Sequence, residues 1–170
     1  MPCHCRFGSA ATMAEATQRI AEITLDEHTV VNRSAEIESE RAAAIADLLG
    51  QNRFAPASGV TGPFRLHLAI EENRLVMEVT PVMDGATETI MLPLAPFRRI
   101  VKDYFLVCES YYQAVRSSNL SRVEAIDVGR RSLHNEGSVL LIDRLAGKLA
   151  VDHDTARRLF TLICVLHLRA

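Results

Sequence analysis

Nine residues that begin and end with glycine, Gly129-Arg-Arg-Ser-Leu-His-Asn-Glu-Gly137, gather two guanidiniums, an imidazole, an amide and a carboxylate. Arg130 and His134 stand at i,i+4, and Arg131 and His134 at i,i+3, so on a helix both pairs share a face. A fixed guanidinium beside an imidazole accepts a phosphate or carboxylate through charge-assisted hydrogen bonds. It also disfavours protonation of the histidine, which leaves a neutral base near pH 7. The candidate ligand-binding set is therefore Arg130, Arg131, His134, Asn135 and Glu136. On an uninterrupted helix, Glu124, Asp127, Arg131, His134 and Ser138 fall within a stripe of about 80°, with Glu136 on the opposite side. Glu136 serves His134 only if Gly137 breaks the helix. The competing expectation is a solvated face on which Asp127 simply pairs with Arg131. No phosphate loop, zinc-ligand spacing, nucleophile elbow or kinase signature is present, so no catalytic residue is assigned.

Arginine doublets recur at Arg98-Arg99, Arg130-Arg131 and Arg157-Arg158, one on each long helix. Convergent, they form a forked site for an anion. Dispersed, each finds a carboxylate four residues away: Asp103 for Arg99, Asp127 for Arg131, Asp154 for Arg158. Cys164 and His167, at i,i+3 on an apolar helix, are expected to be core residues. The Cys3-His-Cys5 triplet offers too few ligands for a metal. Neither a metal nor a cofactor is expected.

These residues need elements to position them. Arg19 to Leu25 reads as a short strand. Asn32 or Ser34 can cap a helix running to about Leu49, with Ile37, Ala44, Ile45, Leu48 and Leu49 inward. Residues 52–62 read as a loop. Phe64, Leu66, Leu68 and Ile70 alternate with polar neighbours, Glu72-Asn73 turns the chain, and Leu75, Met77 and Val79 return. Asp84-Gly85 turns again into Ile90, Leu92 and Leu94. Pro81 and Pro93 cannot donate to a ladder, which places their strands at an edge or ends them there. Pro96 suits a helix start, and the apolar residues from Phe97 to Val115 keep helical spacing. Ser121 and Glu124 have the spacing of a capping box, and Asp152 or Asp154 can cap the last helix. Leu159–Leu168 is apolar almost all round, so it belongs in the core. At ten residues it falls short of the roughly 20 that span a bilayer. The expected architecture is α+β: an antiparallel meander of three or four strands packed against a C-terminal helical half around a buried central helix.

With 170 residues, 48% hydrophobic and 24% charged, the chain suits one domain. Aromatics make up only 5%, with no Trp, so aliphatic residues must fill the core. Residues 1–18 are expected to form a disordered leader, with Met1 or Met13 as the start, and residues 19–170 the domain. That leader lacks the apolar region of a signal peptide. A net charge of −2 gives no global attraction to nucleic acid or an anionic membrane. Four cysteines without a framework spacing fit reduced thiols and a cytoplasmic protein.

Long runs of the chain resemble an uncharacterised alphaproteobacterial protein family, number 0262. They include Phe97-Arg-Arg-Ile-Val-Lys-Asp-Tyr-Phe105, Leu133-His-Asn-Glu-Gly137 and the segment from Asp154 to His167. The resemblance covers roughly Ile20 to Arg169 and leaves out the leader before Met13. It implies a small cytosolic bacterial protein with no assigned activity and supplies no catalytic residues. The leading expectation is a non-enzymatic regulatory or protein-interaction domain, acting on an unknown partner or as a homodimer through helix faces and an exposed sheet edge. Two alternatives stand beside it. One is an enzyme or binding protein for an anionic metabolite, built on His134 and the arginine doublets. The other is an RNA- or ribosome-associated factor. A concave pocket holding His134 and four arginines favours the first alternative; a flat arginine surface favours the second.

Overall fold

The computed structural model describes residues 16–26 and 34–167. In chain order the elements are β1 (Ile20–Leu25), α1 (Ala35–Gly50), β2 (Phe54–Pro56), β3 (Phe64–Glu71), β4 (Arg74–Pro81) and β5 (Glu88–Pro93). A 3₁₀ turn (Ala95–Phe97) leads into α2 (Arg98–Arg116), α3 (Leu120–Leu145), β6 (Leu149–Val151) and α4 (His153–His167). The fold is α+β, as the patterning requires.

β3, β4 and β5 form the expected antiparallel meander, with Leu66 and Leu68 opposite Val79 and Met77, and Met77 opposite Ile90. Glu72 and Asn73 both take positive φ, 48° and 63°, the handedness that lets a two-residue turn follow the strand twist. Pro81 closes β4 beyond its pairing with β5, and Pro93 ends the edge strand β5. The sheet order is β1-β3-β4-β5, and β1 runs parallel to β3. The expected antiparallel meander therefore stands, and the one adjustment is that the fourth strand, β1, joins it in parallel and makes the sheet mixed. Alternation fixes which face of a strand is buried, not the direction of its neighbour, and α1 supplies the crossover a parallel pair needs. A correction concerns the stretch read as a loop, where β2 pairs with β6 in a separate two-stranded sheet. Three residues are too few to display a period.

Each sheet edge is met at one point by a side chain. The Asn52 side chain accepts from the Ile20 amide (2.7 Å) and donates to the Ile20 carbonyl (3.0 Å) on the free side of β1. On β5, Lys148 donates to the Met91 carbonyl (3.1 Å), and Pro93 has no N–H to offer.

The helices follow their signals with one exception. The Ser34 hydroxyl caps α1 by accepting from the Ile37 amide, and Asp152 caps α4 by accepting from the Thr155 amide (2.8 Å). Asn119 caps α3, accepting from the Arg122 amide, so Ser121 lies inside the first turn and the expected capping box gives way. Asn and Ser are comparable caps, and the earlier one wins. α3 runs unbroken through both glycines. Gly137 is required by a close approach: a Cβ there would lie 2.5 Å from the Phe160 ring. That contact is where α3 crosses α4, whose residues Leu159 to Leu166 are buried against α1, α3 and β3. Leu168 and Asn32 lie outside the described residues.

Gln18, which the sequence reading gave to the leader, is bonded to the body. The Phe54 amide donates to the Gln18 carbonyl (2.8 Å), and the Gln18 side chain donates to the Val60 carbonyl (3.2 Å). Residues 1–15, with Cys3, Cys5 and Met13, lie outside the described residues. Among the described residues, no helix is long and apolar enough to cross a membrane.

Candidate functional site

A groove of about 340 Å³ opens between α1, α3 and α4. α1 contributes Glu40 and Asp47, α3 contributes Asp127, Arg130, Arg131 and His134, and α4 contributes Arg157, Arg158 and Thr161. Two of the three arginine doublets therefore converge. Helical spacing on α3 brings Asp127, Arg130, Arg131 and His134 to the side where α1 and α4 pass. Four arginines face three carboxylates, so the groove carries one net positive charge. The third doublet stays away, since Arg99 pairs with Asp103 (3.4 Å) and with Glu136.

The converging arginines differ in what holds them. Arg130 donates to Glu40 (3.0 Å), lies 3.7 Å from Asp127, and stacks its guanidinium 4.7 Å over the Tyr111 ring. Burial is the largest single influence and opposes its charge, but Glu40 and the other groups around it, Asp127 among them, together outweigh burial and hold its pKa above the ordinary value. Glu40 also accepts from the hydroxyls of Tyr112 (2.7 Å) and Tyr104 (3.4 Å), which makes it the hub of a half-buried network. Arg131 pairs with Asp127 (2.7 Å) and is otherwise 70% exposed. Arg158 lies between Asp47 (3.6 Å) and Asp154 (3.8 Å). Arg157 is different: among the described residues it pairs with no carboxylate, and its buried Nε has no hydrogen-bond partner.

His134 completes the site. Its ring stacks 5.1 Å from Tyr104 and meets Phe160 edge-on at 6.4 Å, while the Ser138 hydroxyl donates to its carbonyl (2.6 Å). Its Nε2 is buried without a partner. Burial first, then the charges of Arg157 and Arg130, pushes its pKa down to about 4.

Of the five candidates read from sequence, the groove gathers Arg130, Arg131 and His134. Asn135 is exposed and outside it, and Glu136 points away to Arg99, as an unbroken helix requires. Sequence reasoning missed Glu40 and did not single out Arg157. Glu40 had a signal: it stands three residues after Ile37 and four before Ala44, an acid set into the inward stripe of α1. Arg157 had none, because its isolation depends on which carboxylates other helices bring near.

The chemistry on offer is hydrogen-bond donation to an anion. A histidine with a pKa of about 4 is neutral at pH 7 and a weak proton acceptor there. Burial raises the Cys108 thiol to about 11 and the Cys164 thiol well above its ordinary value, so neither is an activated nucleophile. Both are free cysteines. No group of three or more His, Cys, Asp or Glu among the described residues is placed to hold a metal ion.

Comparison with known proteins places the chain. The family model for the uncharacterised protein family UPF0262 matches residues 17–169. The UPF0262 protein of Rhizobium johnstonii is 54% identical over 157 residues, covering 92% of this chain and 99% of the relative. That of Rhodospirillum rubrum is 56% identical over 153 residues, 90% of this chain and 94% of the relative. That of Maricaulis maris is 55% identical over 158 residues, 93% and 99% respectively. No solved structure matches. The matched segment contains the whole groove and begins at Thr17, the residue before the first one bonded to β2. The chain belongs to the uncharacterised protein family UPF0262.

Proposed function

We propose that the protein is a non-enzymatic regulatory domain that binds a small phosphate- or carboxylate-bearing molecule in the groove of Arg157 and His134. One observation carries this reading: Arg157 and His134 both line one cationic groove, and each keeps a buried nitrogen, Nε and Nε2, without a partner. Nine-tenths or more of buried polar groups in proteins are hydrogen-bonded, and an unmet one costs about 1–3 kcal/mol. An oxyanion between the two nitrogens removes that cost. Arg157 donates as a charge, and His134 donates in its Nε2–H tautomer, so neither needs to move a proton. The depressed histidine and raised thiols support binding over catalysis. The single net charge of the groove suits a small anion and falls short of the extended cationic surface that a nucleic-acid backbone requires.

Thermal unfolding in phosphate against chloride, matched in ionic strength, tests the reading. Phosphate raises Tm of the wild-type protein progressively with concentration, as ligation of the native state demands. Arg157→Gln abolishes the rise. An unchanged wild-type Tm, or an equal rise in the variant, contradicts the assignment.

A further inference from the structure

A second groove, about 420 Å³, lies between α1, α2 and α4 on the other side of Glu40. Its walls are unlike those of the arginine groove. Phe105 and Tyr112 supply half-buried aromatic rings beside the buried Tyr104, whose ring is already stacked on His134, and Ile37 and Val165 supply aliphatic surface. Its charged residues are Glu36, Glu40, Glu109 and Arg116, two net negative charges. Arg116 is already taken by Glu36 at 2.8 Å. The charge of Glu40 is met on its far side by Arg130 at 3.0 Å. Glu109 has no partner among the described residues and faces solvent at the mouth.

From this combination we infer a site for an apolar organic cation, an amine or quaternary ammonium carrying a hydrocarbon or aromatic group. Aromatic faces attract a cation through their quadrupole, and the attraction grows when the cation is partly desolvated. The uncompensated carboxylate supplies the counter-charge at the entrance, while the aliphatic wall takes the tail. An anion is disfavoured: the amide of Ile37 at the start of α1 is occupied by Ser34, and Glu36 and Glu38 neutralise that helix end. A neutral ligand fills the same volume but leaves Glu109 unmet. The two grooves share Glu40 yet differ in sign, so this site stands or falls independently of the anion reading.

Three soluble probes of similar size decide the matter: 2-phenylethylammonium, 2-phenylethanol and phenylacetate. Each is titrated into the full chain while amide resonances of α1, α2 and α4 are followed by NMR. The ammonium saturates shifts at Tyr104, Phe105, Cys108 and Tyr112 and binds roughly tenfold tighter than the alcohol, and phenylacetate does not saturate. Glu109→Gln, a surface substitution that leaves the fold intact, reduces ammonium affinity severalfold and leaves the alcohol unchanged. Raising the salt narrows the preference in the wild type. Equal affinity for ammonium and alcohol overturns the inference. So do shifts that map elsewhere, or no saturation with the ammonium.

Discussion

Arg130 and Arg157 face the same groove from different helices, and their surroundings are opposite. Arg130 has Glu40, Asp127 and the Tyr111 face, so its charge is met within the protein. Among the described residues Arg157 has no ion pair, and its buried Nε lacks a partner. A satisfied buried charge ties α3 to α1 and is part of the architecture. An unsatisfied one beside an unsatisfied imidazole is where a ligand gains most. Residue type alone ranks the two arginines equally; only the partners separate anchor from site.

The largest effect comes from the crossing that sets the distance between the two sides. Gly137→Ala places a methyl against the fully buried Phe160 ring, which cannot yield. Overpacking of this kind costs about 3 kcal/mol, and it pushes α4 with Arg157 away from His134 on α3. Urea unfolding and phosphate titration of the variant should show both losses together. Stability near wild type would place the close approach elsewhere.

Next comes the anchor. Glu40→Ala removes the acceptor of Arg130, Tyr112 and Tyr104 at once. Hydrogen bonds to charged groups contribute about 1.5–3 kcal/mol, so the expected loss is about 2–3 kcal/mol by chemical denaturation. A neutral outcome would demote the network to surface decoration.

A pH effect of about 2 kcal/mol follows from His134, after allowance for the solvent at the groove mouth. Its folded value near 4 lies below the unfolded value near 6.5, so the unfolded chain takes up the proton first. Stability is therefore flat above about pH 6.5 and falls as pH drops from there towards 4. His167, also lowered by burial, acts in the same direction. His134→Phe keeps the stacking on Tyr104 and should flatten the difference between pH 7 and pH 4.5. Identical slopes in the two proteins would show that the histidine is not buried as described.

Least costly to the fold is the site itself. Arg157→Ala loses no ion pair and removes the unmet Nε with its cost, so stability by urea unfolding should hold level or rise by about 1 kcal/mol, whereas Arg130→Ala strands Glu40.

Much of this was legible in the sequence. Alternation in Phe64–Ile70 and Leu75–Val79 fixed the hairpin because one face is buried and the turn residues tolerate positive φ. The face shared by Arg130, Arg131 and His134 followed from helical spacing; the same spacing set Glu136 on the opposite side, although it was kept among the candidates. The parallel direction of β1 was not legible, nor was β2, because both depend on partners distant in the chain. The same holds for the site. Spacing places Arg130 beside His134, but that Arg130 is occupied and Arg157 is not depends on α1 and α4 meeting α3. Asn119, two residues ahead of Ser121, shows how a local signal is displaced by an equal one nearby.

The most direct measurement follows the Arg157 Nε–H and the His134 ring by NMR while inorganic phosphate is added. Phosphate in the groove should saturate both signals, and its charge should lift the His134 pKa from about 4 towards 6.5. Arg157→Gln should remove both responses, and Arg99→Gln, on the doublet outside the groove, should leave them intact. Saturation without movement of His134, or an equal response in Arg157→Gln, would contradict the account.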